Sequence, residues 1–194
     1  MEEKILGVVW DGTGFGDDNT IWGGEFFSYQ NHKIERLTHF EYVDWIAADK
    51  MAREPRLSLL SMLPENSRDI AKSKFSETEW KVYNKMLENN SLKTSSVGRF
   101  FDAVASLLLD IDTTSFEGEA AMLLENKAGE FHGTECMDFL LDVSYQNIPT
   151  KTIIKGIHKA IEAGQSKAQI ANSFIHTLVL IIFKIAKQNK CNII

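Results

Sequence analysis

Three glycines alternate with other residues directly after the first apolar stretch of the chain, in the sequence DGTGFG of residues 11–16. Glycine has no Cβ, so it permits positive φ and lets a ligand approach the backbone closely. Successive backbone N–H groups in such a bend can form a concave site for phosphate oxygens. Asp11 is placed to meet a metal ion or a sugar hydroxyl. We therefore expect a ligand-binding loop here. A hairpin turn is the alternative, since Asp-Gly is a common turn dipeptide, although such a turn needs neither three glycines nor the further pair Gly23-Gly24.

A second polar group lies at residues 94–104, in the sequence TSSVGRFFDAV. Gly98 and Asp102 are four residues apart, so they share one face of a predicted helix close to its N-terminus. A helix N-terminus attracts anions through its free N–H groups and its dipole. The alternative is structural: Ser95 or Ser96 caps the helix and Asp102 is an ordinary acid of its first turns. The residues alone leave both interpretations open.

Several common sites are excluded by spacing. A dinucleotide-binding glycine loop must open a helix, whereas the residues after Gly16 continue as a strand. A calcium loop fails because Phe15 takes a ligand position and Trp22 stands where the final Glu belongs. The five histidines show no pair at metal-ligand spacing, His176 is predicted to be a core histidine, and no nucleophile–base set can be assembled. The turn FEGE at residues 116–119 is interpreted as a loop.

Composition is that of an ordinary globular protein, with 44% hydrophobic and 25% charged residues. The net charge of -6 and the scattered basic residues argue against nucleic acid as a partner. Cys136 and Cys191 are too far apart for a CxxC site, which favours a reducing compartment. The longest apolar stretch, residues 178–183, is far shorter than the roughly 20 residues of a membrane span. We expect a cytoplasmic protein with no membrane partner.

Hydrophobic patterning divides the chain into two parts. Residues 1–45 carry three strand-like stretches, at 5–10, 20–29 and 33–42, which predict a β-meander with the glycine loop between its first two strands. Residues 46–194 have mainly helical spacing. Within them, Pro55 is expected to break a helix, and Ser76 with Glu79 predicts a capping box. The fold class is therefore α+β.

The last part of the chain gives three further expectations. The helix at residues 167–188 is so apolar that it is predicted to be fully buried. Residues 131–147 are ambiguous between strand and loop. The chain begins close to one strand and ends at residues 191–194 in what resembles the start of another, so we expect a piece of a larger protein. Exposed sheet edges would then favour a homodimer.

Four stretches together resemble the hydrogenase-maturation carbamoyltransferase family, HypF, specifically its last, large domain: residues 7–27, AREPR at 52–56, 94–108 and FEGEAAMLLE at 116–125. The resemblance covers nearly the whole chain in the right order. It implies an actin-like ATPase (ASKHA) fold, of which this chain would be a fragment. It also implies transfer of a carbamoyl group from carbamoyl-adenylate, made from carbamoyl phosphate and ATP, to the C-terminal cysteine thiol of a HypE-type acceptor protein, for synthesis of the cyanide ligand of NiFe hydrogenases.

The same resemblance implies roles for individual residues. Asp11 matches a metal-binding aspartate, for a divalent ion such as Fe, Zn or Mg. The predicted nucleotide-binding residues are those that match the phosphate loop, the helix N-terminus and the sugar contacts, namely Gly12, Thr13, Gly14, Gly16, Gly98, Asp102 and Gly118. The catalytic residues are not implied.

Departures from the family pattern limit what we expect of this chain alone. The family's metal-binding histidines precede its first strand, and a Ser-Gly-Gly turn and the last metal aspartate follow the region matched here. Ala47-Ala48-Asp49 stands where the family usually shows Gly-Gly-Asp, and Arg56-Leu57 replaces Trp-Arg. We therefore expect this chain neither to bind metal tightly nor to turn over by itself. A partner-docking module without catalysis, or a related transferase acting on a sugar or tRNA, are the alternative functions.

Overall fold

The structure, a computed structural model, describes residues 3–140 and 147–193. These residues form a five-stranded mixed sheet and a set of helices packed against it, which confirms the α+β prediction. The strands are β1 Ile5–Phe15, β2 Ile21–Gln30, β3 Lys33–His39, β4 Val43–Asp44 and β5 Lys93–Thr94. The α-helices are α1 Lys50–Arg53, α2 Pro55–Met62, α3 Glu77–Glu88, α4 Val97–Leu109, α5 Glu119–Gly129, α6 Thr150–Glu162 and α7 Lys167–Asn189, and a 3-10 helix spans Glu65–Lys74.

Strand β2 is the centre of the sheet. It pairs antiparallel with β1 on one side, and on the other side with β3 along most of its length and with β5, in parallel, at Ile21. β4 completes the sheet antiparallel to β5. Asn192 forms a parallel bridge with Ile5 on the remaining edge of β1, so the predicted strand start at the end of the chain lies beside the first strand. Ile194 lies outside the described residues.

The predicted loop at residues 11–16 is in fact a continuation of β1. Trp10 pairs with Gly24 and Gly14 pairs with Trp22, so four steps along β1 match two along β2, which is a bulge between the two pairs. The turn comes later, where the Gly16 N–H donates to the Thr20 carbonyl at 3.0 Å. The positive φ that the three alternating glycines permit is not adopted there: among the described glycines only Gly118 and Gly164 have it.

Helix α4 connects the sheet to the other helices. Ser96 accepts a hydrogen bond from the Arg99 N–H and caps α4, and the helix then packs against β1, α2 and α5. Its Phe100 is fully buried and lies edge-on to Phe174 of α7, with ring centroids 5.1 Å apart. Because α4 is fixed on several sides, its first turn is held rigidly against the sheet.

Local signals elsewhere are confirmed where they depend on neighbouring residues. Pro55 separates α1 from α2 and stands at the first position of α2, where its missing N–H is not needed. Ser76 and Glu79 form the reciprocal capping box of α3.

Helix α7 is less buried than its composition predicts. Val179 and Phe183 are exposed at 42% and 59%, and His176 is exposed rather than a core residue. Within the described residues α7 is the one helix long and apolar enough to cross a membrane by length and composition, yet it packs on α5 and α4 as a core helix of a globular protein does. The ambiguous segment has neither helix nor strand over 131–140, and residues 141–146 lie outside the described part.

Candidate functional site

The bulge of β1 lies against the N-terminus of α4. A Cβ added to Gly98 would be 3.1 Å from the Gly12 Cα, so the two backbones approach this closely because residue 98 is glycine. The Ser96 hydroxyl donates to the Asp11 carbonyl oxygen at 3.0 Å and accepts the Arg99 N–H at 3.2 Å. A single serine therefore caps the helix and fastens the bulge to it, which brings two separate sequence motifs into one site.

The second glycine pair serves this packing rather than a ligand. A Cβ on Gly23 would lie 2.4 Å from the Asp11 carbonyl oxygen, and one on Gly24 would lie 2.2 Å from the Ser95 carbonyl oxygen. The buried Glu25 carboxylate, next along β2, accepts hydrogen bonds from the Ser95 hydroxyl and from Arg36. Strand β2 thus holds the segment before α4 in place. The Gly23-Gly24 pair therefore does not indicate a ligand loop, since these glycines accommodate neighbouring backbone.

A small cavity of 130 Å³ lies where the bulge meets the helices. Gly118 starts α5 in the left-handed conformation, at φ 83°, which turns the chain towards the bulge. Glu117, just before it, approaches so closely that its Oε1 would be 2.9 Å from a Cβ on Gly12. The cavity thus brings together four of the predicted site residues, and its walls are Gly12, Gly98, Arg99, Asp102, Glu117, Gly118 and Ala121.

A larger cavity of 650 Å³ adjoins it and shares Arg99 and Glu117 with it. Thr13 lies in its wall, the only one of the predicted site residues to do so among the described residues. The rest of the wall comes from elements that sequence reasoning did not assign to the site: Trp45, Asp49, Ala52, Arg53, Thr114, Ser115 and Phe116. Arg53 and Arg99 stand within two of the stretches that resemble the family, and Glu117 stands in the turn that we interpreted as a loop. The position of Arg53, Arg99 and Glu117 within these stretches is the feature of the sequence that could have identified them as site residues.

Asp102 has an unusual environment. It is 6% exposed, and burial raises the pKa of its carboxyl to about 6, while Arg99 acts to lower the pKa and Glu117 to raise it. The Arg99 Nε lies 2.8 Å from the Asp102 Oδ2, although neither atom is in hydrogen-bonding geometry. An ion pair without a hydrogen bond leaves both groups incompletely satisfied in a region with little water.

The remaining predicted residues, Asp11, Gly14 and Gly16, are not in the walls of these two cavities. Gly14 and Gly16 pack against Trp22: a Cβ on Gly14 would meet the Trp22 backbone, and a Cβ on Gly16 would meet its indole. They line neither cavity. The Asp11 side chain is exposed, and its Oδ1 accepts the Gly12 N–H at 2.6 Å. The Gly12 N–H, which we expected to face a ligand, is therefore already bonded to the Asp11 carboxylate.

Asp11 has few metal-ligating side chains around it. Across residues 3–140 and 147–193, no group of three or more His, Cys, Asp and Glu side chains comes together that could hold an ion. The described donors do not by themselves make a metal centre.

The chain is similar to known proteins along almost its whole length. Residues 7–193 match the family model described as "Carbamoyltransferase, Kae1-like Domain, second subdomain". The chain belongs to the HypF carbamoyltransferase family. It is 30% identical to carbamoyltransferase HypF of Synechocystis over 97% of this chain and 27% of that protein. It is 34% identical to HypF of Rhodobacter capsulatus over 66% of this chain and 18% of that protein.

Solved HypF structures share the fold. HypF of T. kodakarensis superimposes with a TM-score of 0.82 at 27% identity, over 99% of this chain and 28% of that chain. A full-length HypF in the phosphate- and nucleotide-bound form gives 0.79 at 26% identity, over 100% of this chain and 27% of that chain. The HypF resemblance inferred from the sequence is confirmed. The chain spans about a quarter of the length of the first of these relatives.

Proposed function

We propose that this HypF-type carbamoyltransferase chain contributes the nucleotide site at which a carbamoyl group passes from carbamoyl-adenylate to the C-terminal cysteine of a HypE-type acceptor. In this reaction the thiol sulfur attacks the carbamoyl carbon, a C–S bond forms, and the C–O bond to the phosphate breaks. AMP leaves and the thiol proton is lost to solvent. Carbamoyl phosphate and ATP supply the carbamoyl-adenylate.

The observation that carries the proposal is the contact between the β1 bulge and the N-terminus of α4. Gly12 and Gly98 touch, and Asp102 and Gly118 line the same small cavity. Backbone N–H groups at a helix N-terminus suit phosphate oxygens. The match to a HypF structure solved in a phosphate- and nucleotide-bound form supports this assignment.

The cavity residues have distinct tasks in the proposed complex. The Asp102 carboxylate would accept hydrogen bonds from ribose hydroxyls when it is ionised, that is, above a pH of about 6. Gly98 and Gly118 leave the backbone accessible beside it. Asp11 would serve a metal ion only together with donors from other parts of the longer protein, since the described residues offer no group of three or more ligands.

A titration tests the nucleotide site. AMP and a non-hydrolysable carbamoyl-adenylate analogue are added to the ¹⁵N-labelled chain, and backbone amide shifts are followed. We expect shifts at residues 11–13, 98–102 and 117–118. Gly98→Ala, which places a Cβ 3.1 Å from the Gly12 Cα, is expected to reduce affinity about tenfold or more.

Gly156→Ala is the matched control, because its Cβ would meet Phe139 at the same 3.1 Å, away from the cavity. If neither ligand shifts any of these amides, the nucleotide site is refuted and a partner-docking module is the better interpretation. The acceptor is tested separately with the full-length protein, by mass spectrometry of the C-terminal cysteine of HypE.

A further inference from the structure

Arg53 and Arg99 line the larger cavity without the side-chain hydrogen bonds that Arg36 and Arg56 form. Arg36 and Arg56 each donate to two carboxylates. Within the described residues the Arg99 side chain has only the ion pair with Asp102, and the Arg53 side chain has no hydrogen bond or ion pair. Both guanidinium groups are therefore available to something that enters the cavity.

Arg99 is the more informative of the two because it is 4% exposed. The Arg99 Nε is buried without a hydrogen-bond partner, which is costly for a charged donor. Its Nε faces Asp102, and its central carbon lies 5.9 Å from the centre of the Trp45 ring. The Nε edge of the guanidinium thus faces Asp102. Its two terminal nitrogens make no hydrogen bond within the described residues. A planar group with parallel N–H donors matches two oxygens of a phosphate.

The carboxylates of the same cavity narrow the choice of ligand. Asp49 and Glu117 also line it, so a simple polyanion would meet repulsion as well as attraction. Asp49 begins α1 but makes no capping hydrogen bond with its side chain. A ligand with one phosphate and additional N–H donors would satisfy the arginines and the acids together.

We infer that Arg99 anchors the phosphate of the ligand in this cavity, assisted by Arg53 at the rim, and that it makes the site select a phosphate ester carrying N–H donors over the corresponding neutral nucleoside. This inference rests on the proposed function. It adds the residue that recognises the phosphate and the reason for the cavity's mixed charge.

The test compares AMP with adenosine by calorimetry and by amide shifts, for the 194-residue chain and three variants. We expect the original chain to bind AMP about tenfold or more tightly than adenosine, since a charge-assisted pair is among the stronger hydrogen bonds. Arg99→Lys keeps the charge but loses the parallel donors, and should remove most of the preference for AMP over adenosine. Arg68→Lys is the control, because the Arg68 Nε is also buried without a partner but lies in the wall of neither cavity.

Arg53→Gln provides a second measurement at an exposed position where folding is not at risk. It should lower the preference for AMP over adenosine about twofold to fivefold. If Arg99→Lys does not fold, an unchanged preference in Arg53→Gln overturns the inference. The inference is overturned if AMP and adenosine bind equally while adenosine still shifts the cavity amides, a result that leaves the proposed function standing. It is also overturned if the folded variants keep the full preference. Absence of binding by both compounds overturns the inference and the nucleotide site together.

Discussion

Ala47 and Ala48 provide the sharpest prediction about the backbone. Both lie in the left-handed region, at φ 59° and 48°, in the turn that leads into α1 and Asp49. Left-handed backbone costs a residue with a Cβ roughly 1–2 kcal/mol, and glycine avoids that cost. The family resemblance implies Gly-Gly at these two positions. We therefore expect Ala48→Gly to stabilise the protein.

The magnitude follows from three contributions. Relief of the left-handed backbone adds roughly 1–2 kcal/mol. The greater freedom of glycine in the unfolded chain removes about 0.4–1 kcal/mol. The Ala48 side chain is exposed, so no packing is lost there, whereas Ala47 packs on the cluster around Trp45. The net gain should be about 0.5–1 kcal/mol for Ala48→Gly and smaller for Ala47→Gly. In a chain of this size that corresponds to about 1–4 °C in melting temperature.

Urea unfolding followed by tryptophan fluorescence measures this difference. Ala163→Gly is the matched control: Ala163 is also exposed but has ordinary helical φ of -74°, so glycine there should destabilise by about 0.5–1 kcal/mol. A higher free energy of unfolding in Ala48→Gly together with a lower one in Ala163→Gly supports the left-handed backbone at Ala48. Loss of stability in both variants would refute the left-handed turn before α1.

Three further predictions concern stability. Gly24→Ala should lower the free energy of unfolding by about 1–3 kcal/mol in urea titrations, because the new Cβ would meet the Ser95 carbonyl oxygen at 2.2 Å; an unchanged midpoint would contradict this contact. Hydrogen bonds, chiefly from Arg56, lower the pKa of Glu79 to about 2, so its contribution is full above its ordinary pKa of 4.5 and is lost as pH falls towards 2. Unfolding curves of Glu79→Gln and the original chain should therefore converge in acid, and a constant gap would refute the pairing. Leu124→Ala, at a fully buried position of α5, should cost about 2–5 kcal/mol in melting experiments, and a loss below 1 kcal/mol would mean that α5 is not packed as described.

The sequence was most informative where neighbouring residues decide the structure. The break at Pro55 and the capping box of Ser76 and Glu79 follow from steric and hydrogen-bonding rules within a few residues. The four motifs also identified the family correctly, and with it two regions that meet in the candidate site. Glycine spacing was less reliable, because the same lack of a Cβ serves a ligand loop, a strand bulge or close backbone packing.

Only the tertiary structure decided which groups face the cavities. Glu117 reaches Gly12 across more than a hundred residues of sequence, and Arg99 is buried beside Trp45. Nothing in the local pattern distinguishes such an arginine from one on the surface. The exposed side of α7 has the same cause, since an apolar composition shows which helix can be buried but not how much of it its neighbours cover. Local rules act over a few bonds, whereas cavities and burial arise from long-range packing that brings distant segments of the chain together.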